Sequence, residues 1–367
     1  MALPADPFIG LEEIESENSL KWVNEQNALT VEELEKHPSY QGLYSDLEQI
    51  LFADDRIPFA SYYQGSFWNF WQDASHKHGI LRRTTLEEYR KEQPLWDTVL
   101  DLDELSRLES ENWVYKGNVR LDMNSPLGLV YLSRGGKDAV VVREFDFRRG
   151  KFVEDGFVIP EAKTSVTPLD ENHLLIGTDF GPESLTDSRY PRVIKVWQRG
   201  QPLSSAQKVF EVGKPDLSAQ ASLIRDGAKK YVLFHRAIDF YNSETYLQVE
   251  NQKLQKLSIP SSGQLLGIKN SYGVFLVKHD FISLKGVIPQ NSVVRFKIEE
   301  GNLDNAEIVF SANNRQSIED VQLYERQIYI NLLDNVRSKL IKLEMNSLGQ
   351  WEVAELGIPL SGEISLS

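Results

Sequence analysis

No cysteine occurs in the 367 residues, which excludes disulfides, thiolate nucleophiles and cysteine-ligated zinc. A cysteine-free chain also suits a reducing compartment, so a cytoplasmic location is expected. Long apolar runs are missing as well. Nothing approaches the roughly 18 residues that a membrane span requires, and no membrane partner is expected. The N-terminus, MALPADPFIGLEEIESEN, has neither the basic head nor the apolar block of a signal peptide. Positive charge is in deficit, with 40 Lys and Arg against 54 Asp and Glu and a net charge of −14. Such a surface repels phosphate backbones, so no nucleic-acid partner is expected. Four chemical signatures are absent too: the Gly-x-Ser-x-Gly elbow, Walker loops, Gly-x-Gly-x-x-Gly and His-Glu-x-x-His. No catalytic, cofactor-binding or metal-binding residue is therefore assigned, and no cofactor is expected.

What is present begins with a helical stretch. Residues 1–56 carry apolar positions at helical spacing, among them Leu20, Trp22, Leu34, Leu43, Leu47 and Ile50, which must pack on something. Thr30 with Glu33 and Ser45 with Glu48 fit the spacing of capping boxes, in which a hydroxyl and a carboxylate satisfy the first helical amides. From Ile57 the texture changes to short Val, Ile, Tyr, Phe and Trp segments cut by Gly, Asn, Asp and Pro. One alternating strand recurs as VVREFDF, VIKVW, TYLQV, VVRFKI and LIKLEM. Its centres at Arg143, Lys195, Leu247, Arg295 and Ile341 lie 52, 52, 48 and 46 residues apart. Each copy leads through a polar turn to another apolar segment, and ILRRTT followed by WDTVLDLD is an earlier copy. A period near 50 made of strands alone points to an all-β chain folded as a β-propeller, because a four-stranded blade hides its faces only against neighbouring blades. Six repeats fit before the chain reaches SGEISLS, which reads as the start of a seventh.

Several residue groups suggest chemistry and have plainer roles. His76 and His78 are the one close histidine pair, but two ligands without a third make a weak metal site, and ASHKHG reads as a hairpin turn. Arg82 and Arg83 beside Trp68 and Trp71 fit cation–π or salt-bridge roles in so acidic a chain. Asp101, Asp103 and Glu104 lack the glycine and terminal glutamate of a calcium loop and read as a strand end feeding a short helix. Glu144 and Asp146 resemble a glycosidase carboxylate pair; the plainer role joins Arg143, Glu144 and Asp146 to neighbouring strands and blades.

The segments RIPFASYYQGSFWNFWQD, HGILRRTTLEEYR, WDTVLDLDEL, ENWVYKG, LSRGGKDAVVVREFDF, FVIPEAK, TDFGPESLTDSRYPRVIKVWQRG and LLDNV follow one another in an order that is itself specific. From about Asp6 onward the chain resembles the N-terminal half of a bacterial prolyl oligopeptidase-type serine peptidase, and DPFIGLEEIESENSLKWVNEQNALT resembles that family's helical arm. The resemblance implies a seven-bladed propeller capping an α/β-hydrolase domain that holds the Ser, Asp and His triad, with the arm packed on the hydrolase. It also implies that the propeller admits oligopeptides and excludes folded proteins. The hydrolase is missing from these residues, so no triad member can be placed on them. Expected, then, are an arm at 1–56, a propeller at 57–367 cut inside its last blade, and no turnover by the chain alone. Its partners would be an oligopeptide substrate and the absent hydrolase domain. The rival expectations are a stand-alone propeller scaffold for a peptide or protein partner, and a propeller glycosidase.

Overall fold

The computed structural model describes residues 6–13, 16–250, 253–324, 327–347 and 349–357. Two helices lead, α1 (Glu17–Glu35) and α2 (Tyr40–Leu51). The cap of α1 is Ser16, whose Oγ accepts from the amide of Ser19 at 3.2 Å. Neither expected capping box exists. Thr30 lies inside α1 and donates its hydroxyl to the carbonyl of Gln26 at 2.9 Å, and Ser45 lies inside α2. The Ser/Thr-x-x-Glu spacing also falls on one face of an unbroken helix, and nothing around Thr30 interrupts the chain. The break comes near Pro38, which lacks an amide donor.

Among the described residues six antiparallel blades follow, five of four strands and one of five, with the main strands of each in sequence order. Blade 1 spans residues 61–101, blade 2 113–162, blade 3 165–211, blade 4 218–256, blade 5 264–311 and blade 6 316–356. In blade 2 the third strand, Val140–Asp146, pairs with both Lys151–Phe152 and Val158–Ala162. Blade 5 carries a hairpin of Phe281–Ser283 and Gly286–Ile288 between its second and third strands. The recurring strand of the sequence is the third strand of every blade, and the apolar segment after it supplies the fourth.

The core is divided among the joints between blades. Among the described residues there are five hydrophobic clusters, and each is shared by two consecutive blades. Leu81, Trp113 and Phe145 join blades 1 and 2; Leu129, Ile159 and Ile176 join 2 and 3. Ile194 and Phe234 join 3 and 4, Leu247 and Phe275 join 4 and 5, and Leu276 and Ile330 join 5 and 6. Fully burying a side chain of this size stabilises by about 1.5–3 kcal/mol, so each joint is a small core of its own. The first strands of blades 3 and 4, 4 and 5, and 5 and 6 lie against one another, as strands around a common axis do. Among the described residues no cluster joins blade 6 to blade 1. The segment SGEISLS, expected to start a seventh blade, lies outside the described residues.

Candidate functional site: the arm-bearing face

A blade whose strands alternate in direction sends its second-to-third loop to one end of the ring and its first-to-second loop to the other. The arm meets the former end. Lys77, in the second-to-third loop of blade 1, pairs with Glu48 at 3.4 Å and lies 5.7 Å from the Phe52 ring centre. Arg56 stacks on Trp71 at 4.6 Å and donates to the carbonyls of Ala53 and Gln72. Further round, Glu12, Glu13 and Ser16 share a cleft of about 660 Å³ with Ala139, Asp179 and Arg189 of blades 2 and 3.

The apolar side chains of this arm are not covered. No residue of α2 is buried, and Leu43, Leu47, Ile50 and Leu51 are all exposed; in α1 only Ser19 is buried. The second-to-third loops of blades 4, 5 and 6 expose further apolar groups at the same end. Phe240 is 86% and Tyr241 85% exposed, lifted by a turn in which Asp239 accepts from the amides of Tyr241 and Asn242 at 2.7 and 2.8 Å. Hydrogen bonds from Asn242 and from the Tyr241 amide hold the Asp239 carboxyl below its ordinary range. Ile282, Leu284 and Val287 stand out on the blade 5 hairpin, and Val336 of blade 6 is 88% exposed at φ +58°, a conformation β-branched residues avoid.

The opposite end differs. Its first-to-second loops are laced by polar bonds between blades. Tyr63 Oη and Gln64 Nε2 donate to the carbonyl of Met123 at 2.9 and 2.7 Å. Arg225 of blade 4 reaches Asp122 of blade 2 at 2.9 Å, passing blade 3. Asp226 accepts from the amides of Asn270 and Ser271 at 3.0 and 2.8 Å. The opposite end also exposes Met123 and Leu95, but there the blades are tied to one another by these polar bonds, whereas the arm and three successive loops make the other end the richer in exposed apolar groups.

The residues singled out in the sequence do not gather into one site, although His78 meets Asp103 and Arg82 stacks on Trp71. His76 Nδ1 meets Asp73 at 2.9 Å. His78 Nδ1 meets Asp103 at 2.9 Å and its Nε2 meets the Asn112 amide oxygen at 2.9 Å. Gly79 closes that loop at φ +95°, and a side chain there would run into the Phe70 ring. Burial alone would lower the His78 pKa, but the hydrogen bonds to Asp103 and Asn112 and the Asp103 charge outweigh it and raise the pKa above its ordinary value. Asp101 caps the helix Leu102–Glu109, accepting from the Glu104 amide at 2.9 Å. Among the described residues no group of three or more His, Asp and Glu side chains is arranged to hold a metal.

Arg82 lies between Trp71 and Trp96 at 4.3 and 4.4 Å, and Arg83 pairs with Asp97 at 2.9 Å. Burial depresses Arg82 to about 10. Glu144 is fully buried and faces no cleft. Arg199 of blade 3 donates to its two oxygens at 2.8 and 2.9 Å, and the Phe157 amide adds a third bond at 2.8 Å. Asp146 instead accepts from the amides of Arg148 and Arg149, so the two carboxylates do not form a catalytic pair. Arg143 pairs with Glu109 at 2.8 Å. The exposed loop groups Phe240, Tyr241, Ile282 and Val336 escaped sequence reasoning. Their one signal was large apolar residues inside turn segments such as DFYN and LDNV.

No helix among the described residues is long and apolar enough to cross a membrane. The family model described as the prolyl oligopeptidase N-terminal beta-propeller domain matches residues 4–367. An uncharacterized peptidase of Sinorhizobium fredii, y4nA, is 36% identical over 374 residues, covering 99% of this chain and 51% of that relative. An uncharacterized peptidase of Rickettsia prowazekii, RP174, is 27% identical, covering 93% of this chain and 50% of the relative. The chain thus spans about half the length of the curated relatives it matches. The solved structure of a post-proline cleaving enzyme from Rickettsia typhi superposes with a TM-score of 0.87 at 26% identity, over 95% of this chain and 53% of that one. The chain belongs to the prolyl oligopeptidase family, as its N-terminal β-propeller domain.

Proposed function

We propose that this chain is the substrate gate of a cytoplasmic serine endopeptidase that hydrolyses proline-containing oligopeptides. Residues 1–56 form the arm and residues 57–367 the ring, which a seventh blade completes. The α/β-hydrolase domain of the same polypeptide docks on the arm-bearing face. One observation carries this most directly: the arm and the loops of blades 4 to 6 expose large apolar groups at one end of the ring, where a second domain would bury them. Two comparisons support it, since the curated relatives are about twice as long and the Rickettsia typhi enzyme is described as post-proline cleaving. In the docked domain a serine attacks the peptide carbonyl, a histidine takes and returns the proton, and an aspartate orients the histidine. The ring contributes no group to that step. It restricts entry to chains thin enough to reach the site.

Two reagents test this: a fluorophosphonate probe for activated serines, and a chromogenic peptide with proline before the scissile bond. The native polypeptide captured with an antibody against this chain should be labelled and should release chromophore, whereas the 367-residue chain alone should do neither. A captured polypeptide that is unlabelled and inert toward the proline peptide would overturn the proposal.

A further inference from the structure

We infer that the arm is held by charge as well as by apolar contact. The surface that docks on it is basic, an apolar strip rimmed by Lys and Arg, and salt loosens the contact. Such a surface belongs to the catalytic half of the polypeptide proposed above, a reading on which this inference rests.

Charge is spread unevenly along the chain. Residues 1–56 hold 13 of the 54 acidic side chains but only 3 of the 40 basic ones, a net −10. The remaining 311 residues hold 41 and 37, a net −4. An arm of less than one sixth of the chain thus carries most of its excess negative charge.

The helices set that charge beside their apolar rows. On α1, Leu20, Val23, Val31 and Leu34 fall on one face at helical spacing, and all are exposed. Leu43, Leu47 and Ile50 do the same on α2. Successive residues turn by about 100° around a helix, so Glu33 and Glu35 flank Leu34, and Asp46 and Glu48 flank Leu47. Little of this charge is neutralised within the arm or by the ring. Glu25 and Glu32 pair with Lys21 and Lys36 of their own helix, and Glu48 pairs with Lys77 of blade 1. Glu33, Glu35 and Asp46 are exposed and have no ion pair among the described residues.

A partner must match the apolar rows and their acidic borders at once. A second copy of the chain is disfavoured, because it brings a net charge of −14 of its own. Nucleic acid and anionic membranes are repelled for the same reason. A protein surface with cations around an apolar strip satisfies both demands, with opposite charge fixing the register. The curated relatives are about twice as long as this chain, so the same polypeptide has room for that surface. Tethering there makes the contact intramolecular, and individually weak pairs then suffice.

Hydrogen exchange of α1 and α2, read by mass spectrometry at 0.01 and 1 M NaCl, tests this. Between those salt concentrations the screening length falls from about 30 to about 3 Å. In the full-length gene product the amides of Glu17–Glu35 and Tyr40–Leu51 should be protected at low salt and exchange about ten-fold faster at high salt. In the 367-residue chain alone they should exchange fast at both. Glu33→Lys with Glu35→Lys in the full-length product should remove the low-salt protection, and Glu33→Gln with Glu35→Gln should remove part of it. Protection unchanged by salt, or unchanged in the lysine variant, would overturn the inference and leave a docked, apolar interface in place. Helices that exchange as fast in the full-length product as in the isolated chain would overturn both the inference and the docking beneath it.

Discussion

Glu144 and Arg199 lie 55 residues apart in sequence, yet both carboxylate oxygens of the first are held by the guanidinium of the second. Because Glu144 is fully buried, removing its partner leaves an uncompensated charge, whereas removing both leaves only a packing defect. Arg199→Met should therefore lower unfolding free energy in urea by about 3–5 kcal/mol, and Glu144→Gln in the same chain should recover part of that loss. Equal stability of the single and double variants would contradict the pairing. His78 makes a second residue-scale case. Both of its ring nitrogens face oxygen acceptors, an arrangement that only the imidazolium satisfies fully. Its folded pKa is raised above the unfolded value, so its contribution is complete below the unfolded pKa of about 6.5 and is lost as pH rises through the folded pKa. His78→Asn should accordingly cost more stability at pH 5.5 than at pH 8.5, as urea melts at the two pH values would show; a constant or reversed difference would refute it. That these histidines sit in a turn was legible in the sequence. Their partners were not, because Asp103 and Asn112 lie 25 and 34 residues downstream and only the fold brings them near.

At the scale of elements, the recurring strand was the most legible feature of the chain. It recurs because each third strand sits between two neighbours: in VIKVW, Ile194 packs in the joint to blade 4 and Trp197 in the joint to blade 2. Helix boundaries were less legible: the Thr30 and Ser45 spacings mimic caps although both lie within helices, and Ser16 was missed as the true cap. Which face of the arm is exposed was not legible at all, since Leu43, Leu47 and Ile50 look like any core-facing stripe until their neighbours are known. If that stripe is an interface, it adds little to the chain's own stability. Leu47→Glu combined with Ile50→Lys should reduce binding of a hydrophobic dye while shifting unfolding free energy by no more than about 0.5 kcal/mol. A loss of several kcal/mol in a denaturant melt would mean that α2 packs on the ring instead.

At the scale of the molecule, the described residues form a row of six blades with five apolar joints, and among them no cluster joins blade 6 to blade 1. Its two ends are unlike in degree, since the arm and the loops of blades 4 to 6 gather the larger number of exposed apolar groups at one end while polar bonds tie the blades at the other. The sequence shows the ring through its period and the family through its motifs. The difference between the ends depends on which loops share an end, and that follows from topology alone. The central claim is that this ring serves a catalytic domain carried on the same polypeptide. Intact-mass spectrometry of the native gene product, captured from its source cell with an antibody against this chain, tests that most directly. A polypeptide about twice this length is expected, because the chain spans about half of its curated relatives. A native product ending at Ser367 would contradict the claim and leave a stand-alone propeller scaffold in its place.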